Sequence, residues 1–357
     1  MKTTNASRIL TAGLSRRAFV GASLASAATL VLAGCNSGNG SADGSTDASS
    51  DSKTASGEKT KITFCLDYTP NTNHTGIYVA QNKGFFADEG LEVEIVQPAD
   101  GTAEGAIGTG QAQLGVSYQD YLAAAYDAGN TGLTAVAAVI QHNTSGIMSR
   151  AEDGITHAAL MEDHVYTTWD MAVEQATIKQ IMTTDGGDFS KLKMVPFTVD
   201  DEVQGLKANM FDCVWVYEGW AVQNAAVQDY PVNYFSFKDM DDVFDFYTPV
   251  LAANNDFMKS NPDAVKAFLR AAKKGYEFAV EPPEDAAQIL CDEVPELDSA
   301  LVEASAKYLA DQYTADASSW GVIDGKRWAA YFQWLNDNDL VENKLDVNAG
   351  FDTSYLA

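Results

Sequence analysis

Cysteine and histidine are the side chains whose spacing most directly indicates metal or redox chemistry. The chain has four of each, with cysteines at positions 35, 65, 213 and 291 and histidines at positions 74, 142, 157 and 164. No Cys-x-x-Cys pair and no His-Glu-x-x-His motif occurs, so neither a zinc site nor a redox pair is predicted. Cys65, Cys213 and Cys291 are too widely spaced for a disulfide framework, and we expect them to be buried as small apolar side chains. Because no nucleophile–base pair or phosphate loop stands out, we expect no catalytic residue, no metal and no cofactor.

The N-terminus has the organisation of an export signal. Arg16 and Arg17 precede an apolar run from residue 18 to 34 that is rich in Ala, Ser and Gly, and Cys35 follows directly. A charged start, a short apolar stretch and small residues at its end are typical of a signal peptide. The alternative is a transmembrane helix, for which the run is short and poor in Leu and Ile. We therefore predict a signal peptide over residues 1–34.

Cys35 resembles the lipidated first residue of bacterial lipoproteins, and the paired arginines with Phe19 resemble a twin-arginine signal. The general secretory route is the alternative for export. Residues 36–58 are almost entirely small or polar, so they are predicted to be a disordered tether. With residues 35–58 as lipid anchor and linker, the expected location is the extracytoplasmic face of the cell membrane.

The chain is strongly acidic. Its 50 Asp and Glu residues outnumber its 23 Lys and Arg residues and give a formal net charge of −27. A surface of this charge repels nucleic acid, so no nucleic-acid partner is predicted. From residue 59 onward the chain is long enough for one large domain or for two lobes of ordinary size.

Strand-like and helix-like patterns alternate along this folded part. Residues 61–66, 91–96, 114–118 and 133–141 have the apolar, β-branched character of strands, and helix-like segments separate them. The pattern restarts after about residue 150, with strand-like segments at 164–168, 193–199, 213–217 and 247–251 and helices at 171–183 and 203–209. This alternation predicts an α/β fold with a mainly parallel sheet.

A long motif in the first loop is specific. It reads Leu66-Asp67-Tyr68-Thr69-Pro70-Asn71-Thr72-Asn73-His74-Thr75-Gly76-Ile77-Tyr78-Val79-Ala80. It resembles the NMT1/THI5-like substrate-binding proteins of ABC importers, especially those that bind pyrimidine precursors of thiamine. Weaker similarities follow in family order at residues 83–86, 89–93, 115–119, 139–142, 186–190, 219–220, 247–250 and 320–321.

The resemblance implies a two-lobe periplasmic-binding-protein fold of type II. Lobe 1 would comprise residues 59–150 plus 247–357, lobe 2 residues 151–246, and the two crossovers would form a hinge. The ligand would lie in the inter-lobe cleft at the carboxyl ends of the strands, as is usual for open α/β sheets. Closure over a small heterocycle would present the protein, as a monomer, to a membrane permease and its ATPase.

A flat aminopyrimidine needs aromatic faces for stacking and paired hydrogen-bonding groups for its amine and ring nitrogens. The loops that carry the resemblance supply such groups. The predicted ligand-binding residues are Tyr68, Asn71, His74, Ser117, Tyr118, Gln119, Trp169, Tyr217, Glu218 and Trp220. His74, Trp169 and Trp220 have structural alternatives, as satisfied or lobe-packing side chains. Cations are sparse near these loops, with only Arg150 close to a predicted crossover, which argues against strongly anionic ligands.

Three positions depart from the family pattern as we know it. Tyr68 stands where a tryptophan is frequent, Asp170 where a glycine is frequent, and Glu218 where an aromatic residue is frequent. A thiamine precursor is therefore the favoured ligand, and thiamine, riboflavin or another heterocycle are the alternatives. Two other functions stay open, a ligand-sensing subunit and an enzyme like the fungal relatives, which make the thiamine pyrimidine with pyridoxal phosphate, a histidine and a cysteine-rich iron motif.

Overall fold

The computed structural model describes residues 59–98, 102–197 and 201–356, so the predicted signal peptide, anchor and linker lie outside the described residues. Ten strands lie in this part of the chain: β1 (Thr60–Cys65), β2 (Leu91–Val96), β3 (Leu114–Ser117), β4 (Leu133–Ala138), β5 (Ser145–Arg150), β6 (Val165–Thr168), β7 (Lys193–Pro196), β8 (Cys213–Tyr217), β9 (Val232–Ser236) and β10 (Val250–Asn254).

The α-helices of the described residues are α1 (Thr75–Asn82), α2 (Phe85–Asp88), α3 (Ala103–Gly108), α4 (Gln119–Asp127), α5 (Ala172–Thr184), α6 (Glu202–Lys207), α7 (Gln223–Val227), α8 (Asn255–Ser260), α9 (Pro262–Val280), α10 (Pro283–Glu293), α11 (Ser299–Ala310) and α12 (Gly325–Asp337). A short 3-10 helix, Thr72–His74, precedes α1, and a π-helical turn, Glu218–Val222, precedes α7. None of the described helices is both long and apolar enough to cross a bilayer.

The strands form two five-stranded sheets. The first has the order β2-β1-β3-β10-β4 and the second the order β7-β6-β8-β5-β9. In the first sheet, β1 pairs in parallel with β2 and β3, and β10 runs antiparallel to β3 and β4. In the second sheet, β6 pairs in parallel with β7 and β8, and β5 runs antiparallel to β8 and β9. This is the predicted α/β fold with two lobes.

Two crossovers connect the sheets, residues 139–144 between β4 and β5 and residues 237–249 between β9 and β10. The prediction placed residues up to 150 in the first lobe, but Ser145–Arg150 forms β5 of the second sheet. All six residues of this strand are buried, but four of them are Ser, Gly or Arg, so the sequence shows neither an alternating pattern nor the apolar run typical of a buried strand. β9 was not predicted either.

Helix α9 is amphipathic and packs closely against helix α1. Its predicted apolar stripe, which includes Val265, Phe268 and Tyr276, is buried. Helix α1 approaches it closely, because a Cβ atom on Gly275 would lie 1.9 Å from the carbonyl oxygen of Gly76. The contact fixes α1, and with it the loop between β1 and α1.

Predicted core residues are confirmed. Trp320, Trp328, Tyr331 and Trp334 are all buried. Cys65 and Cys213 are buried free thiols, and Cys291 is a partly buried one. Burial raises the pKa of the Cys65 thiol to about 11, so it is protonated at neutral pH.

Candidate functional site

The loop after β1 is organised around the Asp67 carboxylate. His74 Nε2 lies 2.5 Å from Asp67 Oδ1, and the Tyr118 hydroxyl donates a hydrogen bond to Oδ2. The backbone N–H of Asn71 donates to His74 Nδ1 over 3.1 Å, so the ring proton of a neutral His74 lies on Nε2 and points at Asp67. Burial opposes ionisation of Asp67, but the hydrogen bonds from His74 and Tyr118 outweigh it and lower the pKa of the carboxyl.

Two residues predicted to bind ligand shape this loop instead. His74 is fully buried and both of its ring nitrogens are engaged. Asn71 caps the 3-10 helix, accepting from the Asn73 N–H over 2.9 Å and donating to the Thr69 carbonyl over 3.1 Å. Tyr68 differs from both because it is 67% exposed and free to stack on a ligand.

The segment after β3 contains three predicted ligand-binding residues with different surroundings. Ser117 is buried and donates to Glu104 Oε1 over 2.5 Å. Tyr118 directs its hydroxyl to Asp67. Gln119 is buried, with its amide nitrogen on the Trp328 carbonyl at 2.8 Å and its amide oxygen on the Tyr247 N–H at 3.0 Å. Gln119 therefore joins α4, α12 and the second crossover, and its amide has no free edge for a ligand.

Trp169 lies after β6 of the second sheet and is 48% exposed. Its position is set by the buried Glu174, which the sequence analysis did not single out. The two carboxylate oxygens of Glu174 accept from the Trp169 N–H at 3.1 and 3.0 Å, from the Tyr166 hydroxyl at 2.7 Å and from the Thr168 hydroxyl at 2.8 Å. A glutamate at the third position of a helix was the available signal, because such a residue folds back onto the preceding loop.

Tyr217 ends β8, and its side chain reaches groups from the first sheet. Burial raises the pKa of the Tyr217 phenol, and the carboxylates of Asp120 and Asp67 raise it further. In turn, burial raises the pKa of Tyr118 most, and Asp67 and Tyr217 add to the shift. Tyr217, which is 38% exposed, is therefore a residue of the second sheet that lies close enough to Asp120 and Asp67 for their charges to act on its phenol.

Glu218 and Trp220 lie in the π-helical turn, which packs against α11. Glu218 Oε2 accepts a hydrogen bond from the Tyr308 hydroxyl over 2.8 Å. The carbonyl of Gly219 accepts one from Ser305, whose hydroxyl also lies 2.5 Å from that of Thr72. These contacts couple the turn to the 3-10 helix before α1, and both Glu218 and Trp220 are only partly exposed.

Asp120 is a site residue that the sequence analysis missed. It lies in the first turn of α4, two residues after Tyr118, and its Oδ1 atom is buried without a hydrogen-bond partner. Burial raises the pKa of the carboxyl to about 6, against the lowering effect of the Asp120 and Tyr121 backbone N–H groups. A carboxylate that directly follows a predicted strand was the signal that could have found it.

The charged side chains described above at the strand ends of the first sheet, Asp67, Glu104 and Asp120, are all carboxylates. Arg150, the cation noted in the sequence, is buried and bonds Asp153 and Asp212 and the carbonyl of Phe211, so it is a structural residue of the second sheet. Among the described residues, no group of histidine, cysteine and carboxylate side chains has the arrangement of a metal site. The groups brought together around Asp67 and Asp120 are carboxylates and the tyrosines Tyr118, Tyr121 and Tyr217, which suit a flat ligand with N–H donors.

Comparisons with known proteins identify the family and the fold. A sequence profile of the family described as NMT1/THI5 like matches residues 71–286. The formylaminopyrimidine-binding protein of Halalkalibacterium halodurans is 26% identical over 314 residues, which cover 84% of this chain and 92% of the relative. The 4-amino-5-hydroxymethyl-2-methylpyrimidine phosphate synthase THI11 of Saccharomyces cerevisiae is 24% identical and covers 68% of this chain and 73% of its own. The aliphatic sulphonate binding protein SsuA of Escherichia coli shares the fold, with a TM-score of 0.64 at 15% identity over 81% of this chain and 96% of its own.

Proposed function

Because the chain belongs to the NMT1/THI5-like family, we propose that it is the solute-binding protein of an ABC importer and that its cargo is an aminopyrimidine precursor of thiamine. The observation that carries the proposal is the carboxylate pair beside Tyr118, in which Asp67 accepts the Tyr118 hydrogen bond and Asp120 Oδ1 is buried without a partner. Tyr217 of the second lobe is close enough for both carboxylates to raise the pKa of its phenol, after the larger effect of burial. A ligand between them touches both lobes, so its binding favours closure. The similarity to a formylaminopyrimidine-binding protein over most of both chains supports the cargo class.

The chemistry of the site favours this cargo over anions. Tyrosine and tryptophan faces stack on a pyrimidine ring, each contact adding about 0.5–1.5 kcal/mol. Carboxylates accept hydrogen bonds from an exocyclic amine, whereas a sulfonate or phosphate in the same place would face like charge. The likeness to a sulfonate-binding protein therefore reflects the shared fold, while the acidic edge supports a neutral or cationic heterocycle.

Residues 1–58 complete the proposal. Export by a signal over residues 1–34, lipidation of Cys35 and a tether over residues 35–58 would hold the folded part at the extracytoplasmic face of the membrane. There it would meet a permease and its ATPase as a monomer. Mass spectrometry of the protein isolated from its native membrane tests this, because a diacylated peptide must begin at Cys35.

A thermal-shift screen of the purified protein tests the cargo. The compounds are formylaminopyrimidine, 4-amino-5-hydroxymethyl-2-methylpyrimidine, thiamine, riboflavin and taurine. A ligand at 100 times its dissociation constant stabilises the folded state by about 2.7 kcal/mol. We expect a shift with the two aminopyrimidines and none with taurine. A shift with riboflavin alone would keep the solute-binding role but replace the cargo, because the departures at Tyr68, Asp170 and Glu218 would then define a different pocket.

The synthases among the relatives make a pyrimidine-forming enzyme the second candidate. Such an enzyme would need a lysine for pyridoxal phosphate and a cation for its phosphate group. The groups gathered around Asp67 and Asp120 are carboxylates and phenols, and His74 is turned toward Asp67, so they do not fit that cofactor. Incubation with pyridoxal phosphate followed by spectroscopy decides the point, because a Schiff-base band would favour the enzyme and its absence the binding protein.

A further inference from the structure

We propose that Asp120 is the specificity-determining residue of this site and pairs with the amidine edge of the ligand, formed by a ring nitrogen and the adjacent exocyclic amine. In the complex, carboxylate and heterocycle would share one proton between them. The inference rests on the proposed function, since it names the residue that would recognise an aminopyrimidine.

Asp120 differs from the neighbouring carboxylates because one of its oxygens lacks a hydrogen-bond partner. Asp67 accepts hydrogen bonds from His74 and Tyr118, and Glu104 accepts one from Ser117. The Oδ1 atom of Asp120 is buried without a partner. Leaving a buried acceptor unpaired is unfavourable, and a ligand that donates to it would supply the missing hydrogen bond.

Residues from both lobes lie near Asp120. Asp120 lines a cavity of about 330 Å³. The cavity is also lined by Val173 of α5, which belongs to the second lobe, and by Leu335 of α12. Phenols of Tyr121, Tyr217 and Tyr331 are close enough for the Asp120 carboxylate to raise their pKa values, after the larger effect of burial. Of these phenols, Tyr121 of α4 and Tyr217 of β8 are exposed enough to meet a flat ring beside Asp120, whereas Tyr331 is buried.

Several acidic groups lie around Asp120. After burial, Glu104 of α3 raises the pKa of Asp120, and both Glu104 and Asp67 act with Asp120 on Tyr121. Asp127 and Glu342 line the same cavity as Asp120. A cationic or multiply donating ligand is favoured in such surroundings. An amidinium group presents two parallel N–H donors to one carboxylate, in the bidentate geometry that also makes arginine–carboxylate pairs strong.

Sharing one proton has a measurable consequence that changes sign with pH. Above pH 7 the free Asp120 is ionised and a free aminopyrimidine is neutral, so forming the complex takes up about one proton. At pH 5 both free partners are mainly protonated, so forming the same complex releases about one proton. The affinity is therefore highest between these values and falls on both sides.

The test is isothermal titration of the full-length protein with 4-amino-5-hydroxymethyl-2-methylpyrimidine, at pH 5.0 and 7.5, in pairs of buffers that differ in ionisation enthalpy. Asp120→Asn keeps the shape but removes the charge. We expect it to weaken binding about 10- to 100-fold at pH 7.5, since hydrogen bonds to charged groups are the stronger class, and to abolish proton uptake. Asp263→Asn is the matched control, because Asp263 is an exposed acid in the first turn of α9, and it should leave affinity and proton exchange unchanged.

The outcomes separate the two proposals. If the wild type and Asp120→Asn bind the aminopyrimidine with equal affinity, and the wild type exchanges no protons at either pH, the role of Asp120 is refuted. The proposal of an aminopyrimidine cargo then still stands. If the wild type binds no aminopyrimidine at all, both are refuted. Should Asp120→Asn not fold, the reversal of proton exchange in the wild type decides alone.

Discussion

The hydroxyl of Tyr118 and the imidazole of His74 donate hydrogen bonds to opposite oxygens of one carboxylate, that of Asp67. Tyr118 follows β3 and His74 precedes α1, so the pair locks two neighbouring strand ends of the first sheet together. The carboxylate is thereby fully satisfied before any ligand arrives. The Oδ1 atom of the neighbouring Asp120 has no such partner. We therefore expect Asp67 to hold the loop in place and Asp120 to accept a hydrogen bond from the ligand.

Asp67→Asn should destabilise the protein in a pH-dependent way. The folded-state pKa of Asp67 is lowered, so its ionised form contributes stability above the unfolded pKa of about 3.9, and that stability is lost as pH falls through the folded value. We expect a loss of about 1–3 kcal/mol in the free energy of unfolding at pH 7. Urea denaturation at pH 7 and pH 3 measures it, and a loss that is just as large at pH 3 would contradict the assignment.

Asp120→Asn should act on stability with the opposite sign. Its folded pKa of about 6 lies above the unfolded value, so the ionised carboxylate destabilises the fold at neutral pH and has no effect below pH 4. The shift corresponds to about 2–3 kcal/mol at most. The variant should therefore be more stable than the wild type at pH 7.5 and equal to it near pH 4. A variant that is less stable at both pH values would show that Oδ1 has a partner after all.

Glu174→Ala should disorder the loop that carries Trp169. The change removes a buried carboxylate that accepts from four donors, the Tyr166 and Thr168 hydroxyls and the Trp169 and Met171 N–H groups, so we expect a loss of about 3 kcal/mol or more in the free energy of unfolding. Glu174→Gln keeps one acceptor oxygen and should lose less. The tryptophan emission should shift to longer wavelength in Glu174→Ala, and the same change in a Trp169→Phe background should not shift, because the other five tryptophans are common to both. An unchanged spectrum would mean that the loop holds its position without Glu174.

Gly275→Ala tests the close approach of α9 to α1. Its Cβ atom would lie 1.9 Å from the Gly76 carbonyl oxygen, so the helices must separate, and we expect a loss of about 2–3 kcal/mol. Gly105→Ala in α3 is the control, because no atom lies within 4 Å of the added Cβ. It should gain about 0.5–1 kcal/mol from the better helix propensity. Equal effects of the two changes would contradict the packing described here.

The sequence predicted the sheet-forming segments well where strands alternate or carry β-branched residues, as β1 and β2 do. It did not predict β5, which is buried along its whole length, or that the strand belongs to the second sheet. Pairing of β5 with β8 and β9 is a long-range relationship that no local pattern encodes.

The sequence predicted which loops carry the candidate site. It did not predict which way the side chains in those loops point. The sequence analysis identified the loop after β1. It could not show that His74 bonds Asp67 rather than a ligand. It also could not show that Tyr118, which follows a different strand, bonds the same carboxylate. Gln119 likewise gains its partners from Trp328 and Tyr247, each more than a hundred residues away. Asp120 was missed because its distinguishing property, an unpaired buried oxygen, is a feature of the assembled structure.

The most direct test of the whole account is calorimetric titration of the protein with formylaminopyrimidine and, in parallel, with taurine at neutral pH. The account predicts one site per chain, a dissociation constant in the micromolar range or tighter, and a negative heat-capacity change from burial of the ring between the lobes. It predicts no heat of binding with taurine. Binding of taurine without binding of the aminopyrimidine would contradict it, because an acidic, aromatic cleft would then be receiving an anion.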